Sequence, residues 1–127
     1  MIRKLTEAEC RSAMENGDFP RELLEAAPMA AIILTQSWCP QWTAMRSYLG
    51  EAEAEAAEAD PRGAAIYYIE YDKEPWFDEF MAFKENTYNN REIPYVRYYR
   101  NGAYHRDSNY IAVQGFLSRL GIGEHRG

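Results

Sequence analysis

Five consecutive residues, Trp38-Cys39-Pro40-Gln41-Trp42, carry the most reactive chemistry in the chain. A cysteine thiolate attacks disulfides, and a Cys-x-x-Cys pair where a strand runs into a helix then frees its partner by closing its own disulfide. Here Cys39 supplies the first sulfur of such a pair and Trp42 stands in place of the second. A lone sulfur still forms a mixed disulfide, but an outside thiol has to resolve it. The bland alternative is that Cys39 is only a small, inert residue at a helix start.

Other candidates are weaker. The second cysteine, Cys10, falls in Leu5-Thr6-Glu7-Ala8-Glu9-Cys10, where Thr6 and Glu9 have capping-box spacing and Leu5 and Cys10 occupy the flanking hydrophobic-staple positions. That arrangement points Cys10, Ala13 and Met14 into a core, away from any partner sulfur. Neither His105 nor His125 has a metal-ligand partner at useful spacing, so no metal site is expected. Arg97 is a fixed charge in an otherwise apolar strand. It either reaches the surface along its stem, pairs with a carboxylate, or lies near Cys39, where it would favour the thiolate.

The elements that must position Cys39 follow from periodicity. A short helix begins after Thr6 and stops near Asn16-Gly17, and Pro20 suits the first turn of a second helix carrying Leu23 and Leu24. The run Ala30–Thr35 reads as a strand buried on both faces. From Pro40 a helix places Ala44, Met45, Tyr48, Leu49, Ala52, Ala56 and Ala59 on one stripe, with a bend expected at Gly50. Cys39 then sits at the helix start, facing unpaired backbone N–H groups and the positive end of the dipole, which favour the reactive thiolate. Flanking Trp38 and Trp42 and the acidic character of the chain push the other way, by desolvation and repulsion.

Residues Ala64–Tyr71 supply a second strand, and a helix from about Glu74 to Tyr88 carries Trp76, Phe77, Phe80, Met81 and Phe83 as a core stripe. Two strands, Tyr95–Arg100 and Ala103–Arg106, flank the hairpin turn Asn101-Gly102. A last helix presents Val113, Phe116, Leu117 and Leu120 before Gly121 and Gly123. The order after the first helices is βαβαββα, an α/β domain with a central mixed sheet flanked by helices. A single domain is expected over residues 1–127, with an N-terminal helical segment at 1–28 and the core at 30–121.

Composition narrows the functional classes. A 127-residue chain with 46 % hydrophobic and 14 % aromatic residues can bury a real core. Its net charge of −6 argues against nucleic acid or an anionic membrane as partner. No apolar run is long enough to cross a bilayer, and the N-terminal residues lack a secretory h-region, so a cytoplasmic location is the expectation. Two cysteines do not make a secreted disulfide scaffold.

Several features in order resemble the thioredoxin-like superfamily: Trp38-Cys39-Pro40, the strand-end Tyr71-Asp72-Lys73-Glu74-Pro75, and Ile93-Pro94 before an aromatic strand and Arg100-Asn101-Gly102. The resemblance runs from about Ala30 to Leu120. It implies a thioredoxin-like fold, a cis proline at Pro94 beside Cys39, and an Ile93 backbone that pairs with an extended peptide. The departures are Trp42 for the resolving cysteine, Ile33 where thioredoxins keep a buried aspartate, and Tyr68 where they keep a lysine.

Two functions are compatible with these residues. In the first, Cys39 is the catalytic nucleophile of a monothiol thiol-disulfide redox protein. Trp38, Pro40, Trp42, Ile93 and Pro94 contact a protein or peptide substrate, and an external thiol such as glutathione completes the cycle without a bound cofactor. In the second, the chain is a redox-inactive adapter that keeps the peptide-binding face. Trp42 is the residue most open to a pure packing role, and Trp38 the one suited to contact. The sequence leaves oligomeric state open.

Overall fold

The computed structural model describes residues 1–122. Gly123 and His125 lie outside the described residues. In chain order the elements are β1 (Ile2–Lys4), α1 (Glu7–Asn16), α2 (Arg21–Leu24), β2 (Met29–Thr35), α3 (Pro40–Arg46), α4 (Leu49–Ala59), β3 (Ala64–Glu70), α5 (Phe77–Thr87), β4 (Tyr95–Arg100), β5 (Ala103–Ser108) and α6 (Val113–Leu120), with a 3-10 turn at Tyr71–Lys73. The five strands lie in the order β1-β3-β2-β4-β5. β1 and β2 run parallel to β3, β4 is antiparallel to β2, and β5 is antiparallel to β4.

Helices cover both faces. Against one face pack Cys10 and Ala13 of α1, Leu23 and Leu24 of α2, and Phe80 and Phe83 of α5, meeting Ile32, Leu34, Tyr67, Ile69, Tyr95 and Tyr99 from the strands. Against the other pack Trp42 and Met45 of α3, Leu49, Ala52 and Ala56 of α4, and Phe116, Leu117 and Leu120 of α6, meeting Ile33, Ile66, Val96 and Tyr98. β2, at the centre, is buried along its whole length, as its unbroken apolar run requires. β5 forms one edge of the sheet, and Ala103–Asp107 are exposed.

Local signals account for the boundaries. Thr6 Oγ1 accepts from the Glu9 N–H and the Glu9 carboxylate accepts from the Thr6 N–H, a reciprocal cap contributing about 1 kcal/mol. Gly17 closes α1 at φ 86°, in the left-handed region that glycine adopts without steric cost. Asn101 and Gly102 both have positive φ, 51° and 84°, as a two-residue hairpin with a right-handed twist demands.

Four expectations need correction. The segment 1–28 is not wholly helical: Ile2, Arg3 and Lys4 pair with Ile66, Tyr67 and Tyr68 as the edge strand β1. The helix after Pro40 breaks at Ser47–Tyr48, not at Gly50. There the Ser47 hydroxyl donates to the Ala44 carbonyl at 2.6 Å, the Tyr48 N–H reaches back only three residues to Met45, and the Tyr48 hydroxyl is drawn to the Ile111 carbonyl at 2.8 Å. On that stripe Trp42 and Met45, not Ala44, face the core, and Ala59 is exposed in the last turn. The helix expected from Glu74 starts at Phe77, because Pro75 holds Glu74 in extended backbone (φ −103°, ψ 147°).

Arg97 does not approach Cys39. Tyr95, Arg97 and Tyr99 alternate onto the α1/α2/α5 face, opposite the face that buries Cys39. Its guanidinium donates to the Tyr99 and Tyr95 hydroxyls at 2.9 and 3.1 Å and lies 3.8 Å from the Tyr88 ring centroid and 4.2 Å from that of Tyr104. Asp18 is 3.9 Å away and accepts from Tyr99 at 2.6 Å.

Candidate functional site

β2 delivers the chain to Thr35, and Gln36, Ser37 and Trp38 then turn it toward the start of α3. That turn is tied to the 3-10 segment after β3. Asp72 accepts from both the Ser37 N–H (2.7 Å) and the Ser37 hydroxyl (2.6 Å). The Gln36 amide donates to the Tyr71 hydroxyl at 3.3 Å, and its oxygen accepts from the Trp38 indole at 2.7 Å. Carboxylate-anchored backbone of this kind fixes where the next residue sits.

That next residue, Cys39, is the N-cap of α3; its carbonyl accepts the first helical bond, from Thr43 at 3.1 Å. Pro40 follows at the first helical position, where its missing N–H costs nothing, and is exposed. The Cys39 side chain makes no capping bond to the α3 backbone, so the N–H groups expected to face the sulfur do not hold it. Instead the thiol points at the Ile93 carbonyl, with Sγ 3.9 Å from the oxygen. The Ile93-Pro94 peptide bond is cis, and Pro94 is buried. Cys39, Ile93 and Pro94 are therefore brought together from two distant parts of the chain. Cys39 is 4 % exposed, beside a Trp38 that is 65 % exposed.

Trp42 belongs elsewhere. It is 1 % exposed, so it cannot form the substrate-contacting lip with Trp38, and its role is packing. Its indole N–H donates to Glu70 Oε2 at 2.8 Å and its ring lies 5.6 Å from that of Tyr68. Glu70 also pairs with Arg46 (3.3 Å) and Lys73 (3.2 Å). A large aromatic fills this part of the core, and its buried donor is satisfied there.

Burial raises the Glu70 carboxyl, but the hydrogen bonds from Trp42 and Lys73 and the charges of Lys73 and Arg46 outweigh it, leaving the group below its ordinary 4.5. A carboxyl depressed on folding contributes stability that is complete above the unfolded value and is lost as pH falls through the folded one. Glu70→Gln is expected to flatten the decline in unfolding free energy from pH 5 to pH 3 relative to the parent. Parallel urea midpoints for the two proteins across that window would exclude this linkage.

Beneath the site Ile33, on β2, pairs in register with Tyr68 on β3. Ile33 is fully buried and apolar, so the carboxylate that could take or give a proton there is absent, and Tyr68 lies beside Trp42 and Arg46 instead. Cys10 sits on the opposite face of the sheet from Cys39 and both sulfurs are free. Burial, with the Glu9 charge adding, pushes the Cys10 thiol up to about 12, which disfavours the thiolate form. His105 is exposed on β5. Among the described residues no group of three or more His, Cys, Asp or Glu could hold a metal ion, and no helix is long and apolar enough to cross a membrane.

Solved structures share this architecture. Trxlp from Edwardsiella tarda EIB202 superposes with a TM-score of 0.62 at 13 % identity, over 94 % of this chain and 98 % of that one. The chain has a thioredoxin-like fold. Oxidized thioredoxin O2 from Arabidopsis thaliana matches with a TM-score of 0.58 and 16 % identity, over 92 % and 89 % of the two chains. Zinc-bound human ERp44 matches at 0.64 and 16 % identity, covering 94 % of this chain and 30 % of that protein. No protein-family model and no curated protein matches the sequence. In this thioredoxin-like frame, sequence reasoning missed Glu70 and Gln36, which orient the tryptophans. A Glu at a strand end gives no sign of its partners, although its place two residues before Asp72 marked it as near the site.

Proposed function

We propose that this thioredoxin-like chain performs thiol-disulfide exchange through Cys39 alone. The observation that carries the reading is the meeting of the Cys39 sulfur at the start of α3 with the Ile93 carbonyl at the cis Pro94, while Trp42 fills the resolving position. The Cys39 thiolate attacks one sulfur of a partner's disulfide, forming a Cys39–partner disulfide and expelling the partner's other sulfur as a thiolate. An external thiol, glutathione in a cytoplasmic setting, then attacks the mixed disulfide and returns Cys39 to the thiol. Its own sulfur becomes bonded to the partner, and a second equivalent frees that partner with release of the oxidised thiol dimer. Ile93 and Pro94 offer backbone to an extended protein or peptide substrate, and exposed Trp38 and Pro40 add apolar contact.

A binding role without chemistry is favoured by one different observation, the 4 % exposure of Cys39. Incubation with glutathione disulfide and intact-mass measurement separates the two. One glutathione per chain is expected, mapped to Cys39 and removed by excess glutathione, absent in Cys39→Ser and retained in Cys10→Ser. A native chain that takes up none, under conditions that modify it once unfolded, leaves the peptide-binding adapter as the function.

A further inference from the structure

Lys84 on α5 is a buried cation with no ion-pair partner among the described residues. It is 1 % exposed, and among the described residues no carboxylate lies within ion-pair distance of it; the charges of Glu85, which pairs with Arg91, and of Glu92 act on it only from further off. Removing an ammonium from water is unfavourable unless polar groups replace the solvent, and burial pushes this amine down to about 8. The groups that replace it belong to one residue. Nζ donates at 3.0 Å to the Asn90 carbonyl and at 3.0 Å to Asn90 Oδ1, and it lies 5.7 Å from the Tyr95 ring centroid.

Asn90 precedes and Tyr95 follows the Ile93-Pro94 bond, so a single side chain holds the backbone before it and faces a ring just after it. Asn89, just before Asn90, turns the chain through the left-handed region at φ 54°, which Asn tolerates. Asn90 itself works as a hub: its Oδ1 also accepts from the Glu92 N–H at 3.0 Å, and its amide donates to Asn109 Oδ1 at 2.9 Å. An apolar residue would fill the Lys84 position without any desolvation penalty, so the cation's place is accounted for by what it holds.

We infer that Lys84 is a positioning residue: from the far face of the sheet it clasps residues 90–95 and thereby sets the Ile93 backbone against the Cys39 sulfur for an extended peptide disulfide. The recognition half of this inference rests on the proposed chemistry of Cys39. Lys84→Met in the full chain tests it with three measurements: the rate at which Cys39 reacts with an unstructured cysteine peptide carried as its glutathione mixed disulfide, the rate of alkylation by iodoacetamide, and amide exchange over residues 89–95.

The peptide reaction is expected to slow by about tenfold, because misplacing a binding backbone by a fraction of an ångström is costly at a reacting centre. Alkylation, which needs no backbone pairing, is expected not to slow, and exchange over 89–95 is expected to quicken. An unchanged peptide rate, or equal slowing of both reactions, overturns the assignment. If the parent itself never reacts with the peptide, the Cys39 function fails separately. The clasp then stands on faster exchange in the variant and falls on unchanged exchange. Should Lys84→Met not fold, Asn90→Ala removes one of the same two acceptors and carries the same expectations.

Discussion

Trp42→Cys is expected to close an intramolecular disulfide with Cys39 and to give the chain a slow insulin-type disulfide reductase activity. Position 42 lies one turn beyond the N-cap and on the same buried cluster as Cys39, so a short side chain there would face the existing sulfur. The change trades a packing residue for a leaving group. Emptying the Trp42 site costs about 3–5 kcal/mol by analogy with other buried aromatics, and it also strips Glu70 of the indole donor. The reduced variant is therefore expected to melt well below the parent. Turnover is expected to be poor because Ile33 offers no proton-transferring group under the new bond. Thiol titration before and after mild oxidation checks the bridge. A well-folded variant that keeps both thiols titratable would show that the α3 start cannot host a pair.

The second large effect concerns stability alone. Arg97→Ala is expected to cost about 3 kcal/mol, because it removes a mostly buried charge, two hydroxyl hydrogen bonds and contacts with the rings of Tyr88 and Tyr104, and leaves a void. For a domain of this size that lowers the melting temperature by about 10 °C. Arg91→Ala is the matched control. Its partner Glu85 is also an ion-pair acceptor, but Arg91 is largely exposed, so the expected loss is at most about 0.5 kcal/mol. Urea denaturation of both variants decides the matter; equal losses would mean that the tyrosine cage contributes no more than a surface pair.

The difference between those arginines shows where sequence reasoning was strong and where it failed. The hairpin signal beside Tyr95–Arg100 located that strand, and one unbroken apolar run identified β2, because burial on both faces leaves few polar residues in the sequence. The capping box and the Asn101-Gly102 turn were legible because each is a local rule with a local cause. β1 was not, since Ile2-Arg3-Lys4 has a single apolar residue and becomes a strand only by pairing with β3.

At the site, the approach of Cys39 to Ile93 is what the thioredoxin-like resemblance implies and a packing role suits Trp42, whereas the partner of the Trp42 indole, Glu70, with its own partners Arg46 and Lys73, comes from elsewhere. Lys84 reads as an ordinary surface lysine of Lys84-Glu85-Asn86. Yet it lies three and four residues after Met81 and Phe80, on the apolar side of α5, and that spacing was an available sign of its burial.

The exposed outermost strand has a consequence for how these molecules behave in a crowd. A ribbon end with unsatisfied main-chain groups invites a neighbouring copy to zip on, and long apolar margins lead to fibres. β5 instead bears His105, Arg106 and Asp107 in succession, while the opposite margin, β1, is only three residues long and includes two cations. Concentrated solutions are thus guarded against strand-to-strand polymerisation at both borders.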